Sequence, residues 1–283
     1  IPVIAPDNEK GIPGYTGWRL YHKPFRYVTR GDRDLMPDEL NAEWAGEKLR
    51  EKHDKPFLLC IGMNRPHAPT FAPDEYFDLF PIEEVKLAII KDGDTEDCAD
   101  ILVPPGADAS ALGFRRYENY IRQGGTELLR KWTQAYLANI AFVDDQIGKI
   151  MDALEAGNYA DNTWVIFTSD HGYHMGEKEY LFKNSLWEES CRVPFIVTGP
   201  GVPEGKICDQ PISLVDLYPT LIDIAGLNTD FVTPQKLDGY SIVPLLKNPE
   251  HGQWRGPDAA LTSIHSLERL DSGEPGIPER QHY

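Results

Sequence analysis

Apolar and polar positions follow two different periods along this chain. Over residues 38–52 (DELNAEWAGEKLREK), Leu40, Trp44, Ala45 and Leu49 fall on one face of a helix. Residues 127–156 carry a longer pattern, in which Trp132, Tyr136, Ile140, Val143, Ile147, Ile150 and Leu154 recur at steps of three and four. That spacing predicts an amphipathic helix with one stripe turned to a core. Gly157 and Asn158 supply its stop. Residues 213–225 (SLVDLYPTLIDIA) also have helical spacing, with Pro219 near the first turn or at a kink. Three runs are apolar and of strand length: 56–63 (PFLLCIGM), 163–168 (TWVIFT) and 193–198 (VPFIVT). A short apolar segment at 242–246 follows Gly239 and Tyr240. Residues 1–38 and 68–125 are dense in Gly, Pro and polar side chains and read as irregular, the second with short helices among long loops. Fully apolar strands interleaved with helices argue an α/β fold: a mostly parallel central sheet flanked by helices.

Length and composition narrow the class. The 283 residues suffice for one large domain, with or without a smaller piece. Hydrophobic and charged shares of 41% and 26% are those of an ordinary globular protein. No apolar run approaches a membrane span. Residues 1–15 show no signal-peptide pattern and no helix or strand nucleus, so an N-terminal portion is expected to precede them. The net charge of −17, with no basic stripe against it, argues against nucleic acid as a partner. An anionic substrate would need a local cationic pocket. Of the four cysteines, none forms a C-x-x-C pair. Cys60 lies in an apolar run and is expected to be a buried thiol.

Chemistry-bearing residues gather after the strand-like runs. Arg65, Pro66 and His67 follow the first run. Asp170, His171 and Gly172 follow the second, with His174 and Glu177 close behind. Lys183 and Asn184 precede the third. In an open α/β sheet, strand ends of this kind are where ligands bind. Asp170 and His171 suit a divalent cation but make only half of a coordination shell. Lys183 and Arg65 could hold an anionic group beside it. His67 could give a proton to a leaving oxygen. Taken singly, His67 could equally cap a turn, and Lys183 could be a solvated charge.

An ordered series of segments carries a resemblance. It runs KPFLLCIGMNRPHAP (55–69), QAYLANIAFVDDQIG (134–148), TSDHGYHMGEKE (168–179), FKNSLWEE (182–189), RVPFIV (192–197), SLVDLYPTL (213–221) and LDGYSIVPLL (237–246). The series resembles the type I, formylglycine-dependent sulfatases of the alkaline phosphatase superfamily, most of all the iduronate-2-sulfatase-like branch. The resemblance implies that Asp170 and His171 are metal ligands, for Ca2+ as a rule in such enzymes. It implies that Lys183 binds sulfate oxygens and that His67 meets the leaving-group oxygen. It places Arg65 towards the substrate and His174 in the matching loop. The activity implied is sulfuric ester hydrolysis on a sulfated carbohydrate. Exo action is expected, since the acidic surface suits a single terminal sugar better than a long polyanion. Periplasmic or secreted location is implied in the same way.

The departures from the family pattern are as definite as the matches. No cysteine or serine stands in a C/S-x-P-x-R motif, the source of the formylglycine nucleophile; Cys191 reads CRVPF and Cys208 reads CDQPI. The early metal-binding aspartates and the basic cluster after the nucleophile are also missing. The chain is therefore expected to be a middle-to-C-terminal part, inactive alone, with the nucleophile segment in the same polypeptide or a companion chain. Residues 1–250 would form the core and 251–283 the start of a C-terminal subdomain. Two other functions stay open: a phosphodiesterase or phosphonate hydrolase of the same superfamily, and a non-catalytic pseudo-sulfatase that binds carbohydrate.

Overall fold

The computed structural model describes residues 15–20, 23–98, 111–227, 237–265 and 281–282. They fall into two units, the first within 1–92, 116–160 and 175–179, the second within 93–115, 161–174 and 180–283.

In the first unit, the alternation Phe25-Arg26-Tyr27-Val28 makes a half-buried strand. Phe25 and Tyr27 are buried, and Val28 is exposed. Strands β1 (Tyr15–Leu20), β2 (Lys23–Thr29) and β3 (Asp32–Arg33) form an antiparallel ribbon. The expectation of irregular structure over residues 1–38 is thus corrected for these strands, while residues 1–14 lie outside the described residues; the period-two alternation over 25–28 is the sequence signal for it. Helix α1 (Pro37–Arg50) follows, close to its expected place. Its buried face is not the expected one. Ala42, Ala45 and Leu49 are buried with the acidic Asp38 and Glu39, whereas Leu40 and Trp44 are exposed. Glu39 tolerates burial because it pairs with both terminal nitrogens of Arg33 at 2.7 Å and accepts the Met36 N–H at 2.7 Å.

The run 56–63 forms no strand among the described residues. Its Phe57 ring lies 4.4 Å from His53 and 5.4 Å from Tyr159, while Leu58 and Cys60 are exposed. Both expectations for this run, a buried strand and a buried Cys60 thiol, are corrected. A strand needs a neighbour to receive its backbone polar groups, and none is described beside it. The short helix α2 (Asp74–Phe77) lies in the loop-rich stretch, as expected.

Helix α3 (Ala111–Glu155) is interrupted at Gly125, where φ is 57° and ψ is −150°. The segment after this break corresponds to the expected helix at 127–156. Its buried face runs through Leu129, Trp132, Ala135, Ala138, Asn139, Phe142 and Gln146. Of the expected stripe, Trp132 and Leu154 are buried, Tyr136, Val143, Ile147 and Ile150 are half-buried, and Ile140 is exposed. Asn139 and Gln146 can be fully buried because their amides donate to the helix carbonyls of Ala135 (2.7 Å) and Phe142 (3.1 Å). The core here joins Phe25, Tyr27, Met36, Ala72, Phe77, Ala135, Ala138 and Phe142. At its edge the Tyr27 hydroxyl donates to Asp74 at 2.7 Å. Burial and that carboxylate push its pKa up to about 12.

In the second unit, β4 (Val165–Thr168) pairs with β7 (Phe195–Thr198) in antiparallel register. Between them come β5 (His174–Met175), β6 (Leu181–Phe182) and the single-turn helix α4 (Glu188–Cys191). The α/β class stands, and within the mostly parallel sheet expected overall this one pair is antiparallel. The link contains turns and no crossover helix, so the chain returns beside β4 in the opposite sense. The β1–β2, β2–β3 and β8–β9 pairs are antiparallel as well. Phe167 and Ile196 sit opposite each other on one face of the β4–β7 ribbon and are both exposed.

Helix α5 (Leu217–Ile224) carries Pro219 in its first turn, as expected, after a tight turn at Leu214–Asp216. Buried Asp216 accepts the Ser213 and Tyr240 N–H groups at 2.8 Å each. A side chain at Gly239 would meet the Val215 carbonyl at 2.1 Å, so only glycine allows this approach. Helix α6 (Val243–Lys247) follows. A last pair, β8 (Ile264–His265) and β9 (Gln281–His282), lies at the end of the chain.

Candidate functional site

The residues singled out in the sequence divide between the units. Arg65 and His67 belong to the first, and Asp170, His171, His174 and Lys183 to the second.

The loop 64–67 hangs on one carboxylate. Asp38, buried at the start of α1, accepts the Asn64 N–H at 2.7 Å and the Arg65 N–H at 2.9 Å. Arg65 is itself buried, and its Nη1 donates to Asn64 Oδ1 and to the His67 carbonyl, both at 2.9 Å. The His67 N–H closes the loop on Asn64 O at 3.0 Å. The Arg65–Pro66 and Ala68–Pro69 peptide bonds are cis. The His67 side chain is exposed, and its Nδ1 faces the Ala68 carbonyl. A carbonyl only accepts, so Nδ1 carries the hydrogen and Nε2 is the atom left for proton transfer.

The turn after β4 presents Asp170 and His171 together. The Asp170 side chain is 85% exposed and that of His171 32%, with Oδ2 and Nε2 3.6 Å apart. His171 Nδ1 donates to the Gly172 carbonyl at 2.8 Å, which leaves a lone pair on Nε2 facing a carboxylate oxygen. Two acceptors this close repel unless a proton or cation lies between them. A cation held at about 2.4 Å from each, with the ligands about 90° apart, separates its donors by about 3.4 Å. The pair fits that requirement. Among the described residues, no group of three or more His, Cys, Asp or Glu side chains is gathered for a metal.

Lys183, half-buried, stands on the turn after β6. The Ser185 N–H donates to the Lys183 carbonyl at 2.9 Å, and the Tyr180 hydroxyl donates to the Asn184 carbonyl at 2.7 Å. His174 is fully buried against this turn, with Nε2 2.8 Å from Ser185 Oγ and its ring edge-on to Tyr180 and Trp187. Sequence reasoning set Arg65 and His174 towards a substrate. The structure buries both and uses them as braces for the turns that carry His67 and Lys183. Burial holds the nearby Cys191 thiol above its ordinary pKa, so it is a thiol and no ready nucleophile at neutral pH. The residues missed by sequence reasoning are Asp38, Ser185 and Ser190. No periodicity marks them, because their partners are backbone groups or distant in sequence.

The second unit offers two neighbouring donors suited to a cation and a half-buried lysine, and the first unit carries an exposed imidazole. The sulfatase family model matches residues 7–227. The chain belongs to the sulfatase family.

Among its relatives is a sulfatase of Formosa agariphila, 36% identical over 193 residues, covering 68% of this chain and 37% of that protein. The phosphonate monoester hydrolase of Agrobacterium radiobacter shares the fold at a TM-score of 0.64 and 26% identity, over 88% of this chain and 48% of that one. An enzyme solved with its substrate D-glucosamine-2-N,6-O-disulfate shares the fold at a TM-score of 0.59 and 21% identity, over 87% and 59% of the two chains. This sulfatase chain spans about two fifths of the length of the curated relatives it matches. Family membership implies use of a metal ion, in keeping with the donor pair at Asp170 and His171. Among the described residues, no helix is long and apolar enough to cross a membrane.

Proposed function

We propose that the full-length protein containing this chain is a sulfuric ester hydrolase that removes sulfate from a terminal unit of a sulfated carbohydrate. The observation that carries the reading is the Asp170–His171 pair, with its tautomer set by Gly172 and its donors 3.6 Å apart. Family membership and the sulfatase relatives support the reaction class. The sulfated glucosamine held by one structural relative supports the substrate class. In the net reaction the ester bond to sulfur breaks, water adds, and an alcohol and hydrogen sulfate leave. Asp170 and His171 supply two ligands to a Ca2+ ion, which when bound withdraws charge from sulfate oxygens. Lys183 pairs with the anionic oxygens and steadies the charge that grows on them. His67, as the imidazolium with hydrogens on both ring nitrogens, delivers its Nε2 proton to the departing sugar oxygen and is left neutral with Nδ1–H. The nucleophile, formylglycine, and the remaining ligands come from sequence outside these residues, in the same polypeptide or a companion chain. Residues 1–250 then belong to the catalytic core and 251–283 to the start of a smaller C-terminal subdomain. A periplasmic or secreted location accords with substrates of this kind.

The test is hydrolysis by the full-length protein of sulfated glucosamine, choline sulfate and an aryl phosphodiester, with and without chelator. Turnover of the sulfated sugar, lost on chelation and restored by Ca2+, is expected. Lys183→Ala lowers kcat by about 100- to 1,000-fold. Preference for the phosphodiester would move the protein to phosphonate or phosphodiester hydrolysis, the reading favoured by the phosphonate hydrolase likeness. Preference for choline sulfate would remove the carbohydrate. Sugar binding without any turnover would make it a pseudo-sulfatase.

A further inference from the structure

The segment between β4 and β7 holds a polar network that the chemistry above does not use. Ser185 Oγ donates to Ser190 Oγ at 2.8 Å. With its hydrogen so committed, Ser185 Oγ accepts the Nε2–H of buried His174 at 2.8 Å. Ser190 is also buried, and its carbonyl accepts the Gly172 N–H at 2.8 Å. The Lys183 carbonyl accepts the Ser185 N–H at 2.9 Å. One continuous path therefore runs from the Asp170–Gly172 turn through Ser190 and Ser185 to the Lys183 turn.

Both ends of this path are tightly determined. A Cβ at Gly172 would lie 2.0 Å from the Glu189 carbonyl, so the metal-ligand turn is seated on α4 with no room for a side chain. Phe182, directly before Lys183, has φ of 81°, a conformation rare for a residue with a side chain. Such a conformation persists only where its surroundings over-determine it. Here the Tyr180 hydroxyl ties down the Asn184 carbonyl, Leu181 is fully buried, and the Phe182 ring packs edge-on to Tyr173.

We propose that the buried Ser185–Ser190 hydroxyl pair, braced by His174, is a positioning device that couples the cation-binding turn at Asp170–His171 to the anion-binding turn at Lys183. The proposal rests on the sulfatase reading for the roles of those two turns. Neither serine touches a reacting atom. Their work is to keep the carboxylate–imidazole pair and the ammonium group in one fixed arrangement. Loss of the Ser185 hydroxyl leaves His174 Nε2 and Ser190 Oγ without their shared partner inside a buried cluster, and both turns relax together.

The experiment compares Ser185→Ala and Ser185→Thr in the full-length protein. It reads Ca2+ affinity by calorimetry on metal-stripped protein, the inhibition constant of inorganic sulfate, kcat, and Tm. Supporting partners of metal ligands typically matter by about 10- to 100-fold. Ser185→Ala is expected to weaken both Ca2+ and sulfate binding by about tenfold or more, with Ser185→Thr restoring most of each. Unchanged Ca2+ affinity in Ser185→Ala overturns the coupling. So does a fall in Tm with both affinities intact, which is what a purely packing role gives. If Ser185→Ala does not fold, Ser190→Ala breaks the same link and carries the same readouts. A wild-type protein that binds Ca2+ but hydrolyses no sulfate ester sinks the sulfatase reading, while the Ca2+ arm still decides the coupling.

Discussion

The loop 64–67 and the two turns at 170–172 and 183–185 carry the candidate chemistry, and they are held in opposite ways. The first depends on two buried charges: Asp38 accepts two backbone N–H groups, and the Arg65 guanidinium ties Asn64 to the His67 carbonyl. The second pair depends on neutral hydroxyls, an imidazole and close backbone contact between Gly172 and Glu189. Hydrogen bonds to a charged group are each worth about 1.5–3 kcal/mol and neutral ones about 0.5–1.5 kcal/mol. The first loop thus concentrates its stability in two charged side chains. The second region spreads it over several.

Variants can break or sharpen this contrast. Asp38→Ala should have the largest effect, about 3–5 kcal/mol of stability, because it leaves two backbone donors buried and unpaired. Asp38→Asn retains an acceptor and should lose about half as much; equal losses would show that charge is not what holds the loop. Urea unfolding reads both. Gly172→Ala comes next, at about 1–3 kcal/mol, since a methyl group 2.0 Å from the Glu189 carbonyl forces the turn off α4. Its Ca2+ affinity should fall alongside, by titration calorimetry. A normal affinity would separate the seat of the turn from its function. Lys48→Ala, which removes the exposed Lys48–Glu51 pair outside both regions, should cost far less than any of these variants. A larger loss there would mean that exposed charges matter more in this acidic chain than their screening allows.

The proposed site residues were read where chemistry and order in sequence coincide. Asp170, His171, Lys183 and His67 stand on turns, with side chains exposed or half-buried. Arg65 and His174 were placed near the substrate by the family resemblance, and the structure shows both buried and bracing their turns. Asp38 had no signature at all. Its identity as an anchor depends on a loop some 26 residues away in sequence. Ser185 and Ser190 gave no signal either, because a hydroxyl serves whichever partner the fold brings to it.

The sequence alone determined what local stereochemistry and covalent order control. Gly125 interrupts α3, which then ends at Glu155 just before Gly157 and Asn158. Pro219 sits in the first turn of α5, and Asp170 and His171 follow a strand at fixed spacing. The tertiary structure decided which surfaces are covered. It buried Ala135, Ala138, Asn139 and Gln146 of α3 and left Ile140 exposed. It paired 165–168 with 195–198 antiparallel and gave the equally apolar run 56–63 no strand partner among the described residues. Hydrophobicity fixes how much a side chain gains from burial. Whether it is buried depends on which surface the rest of the chain brings against it.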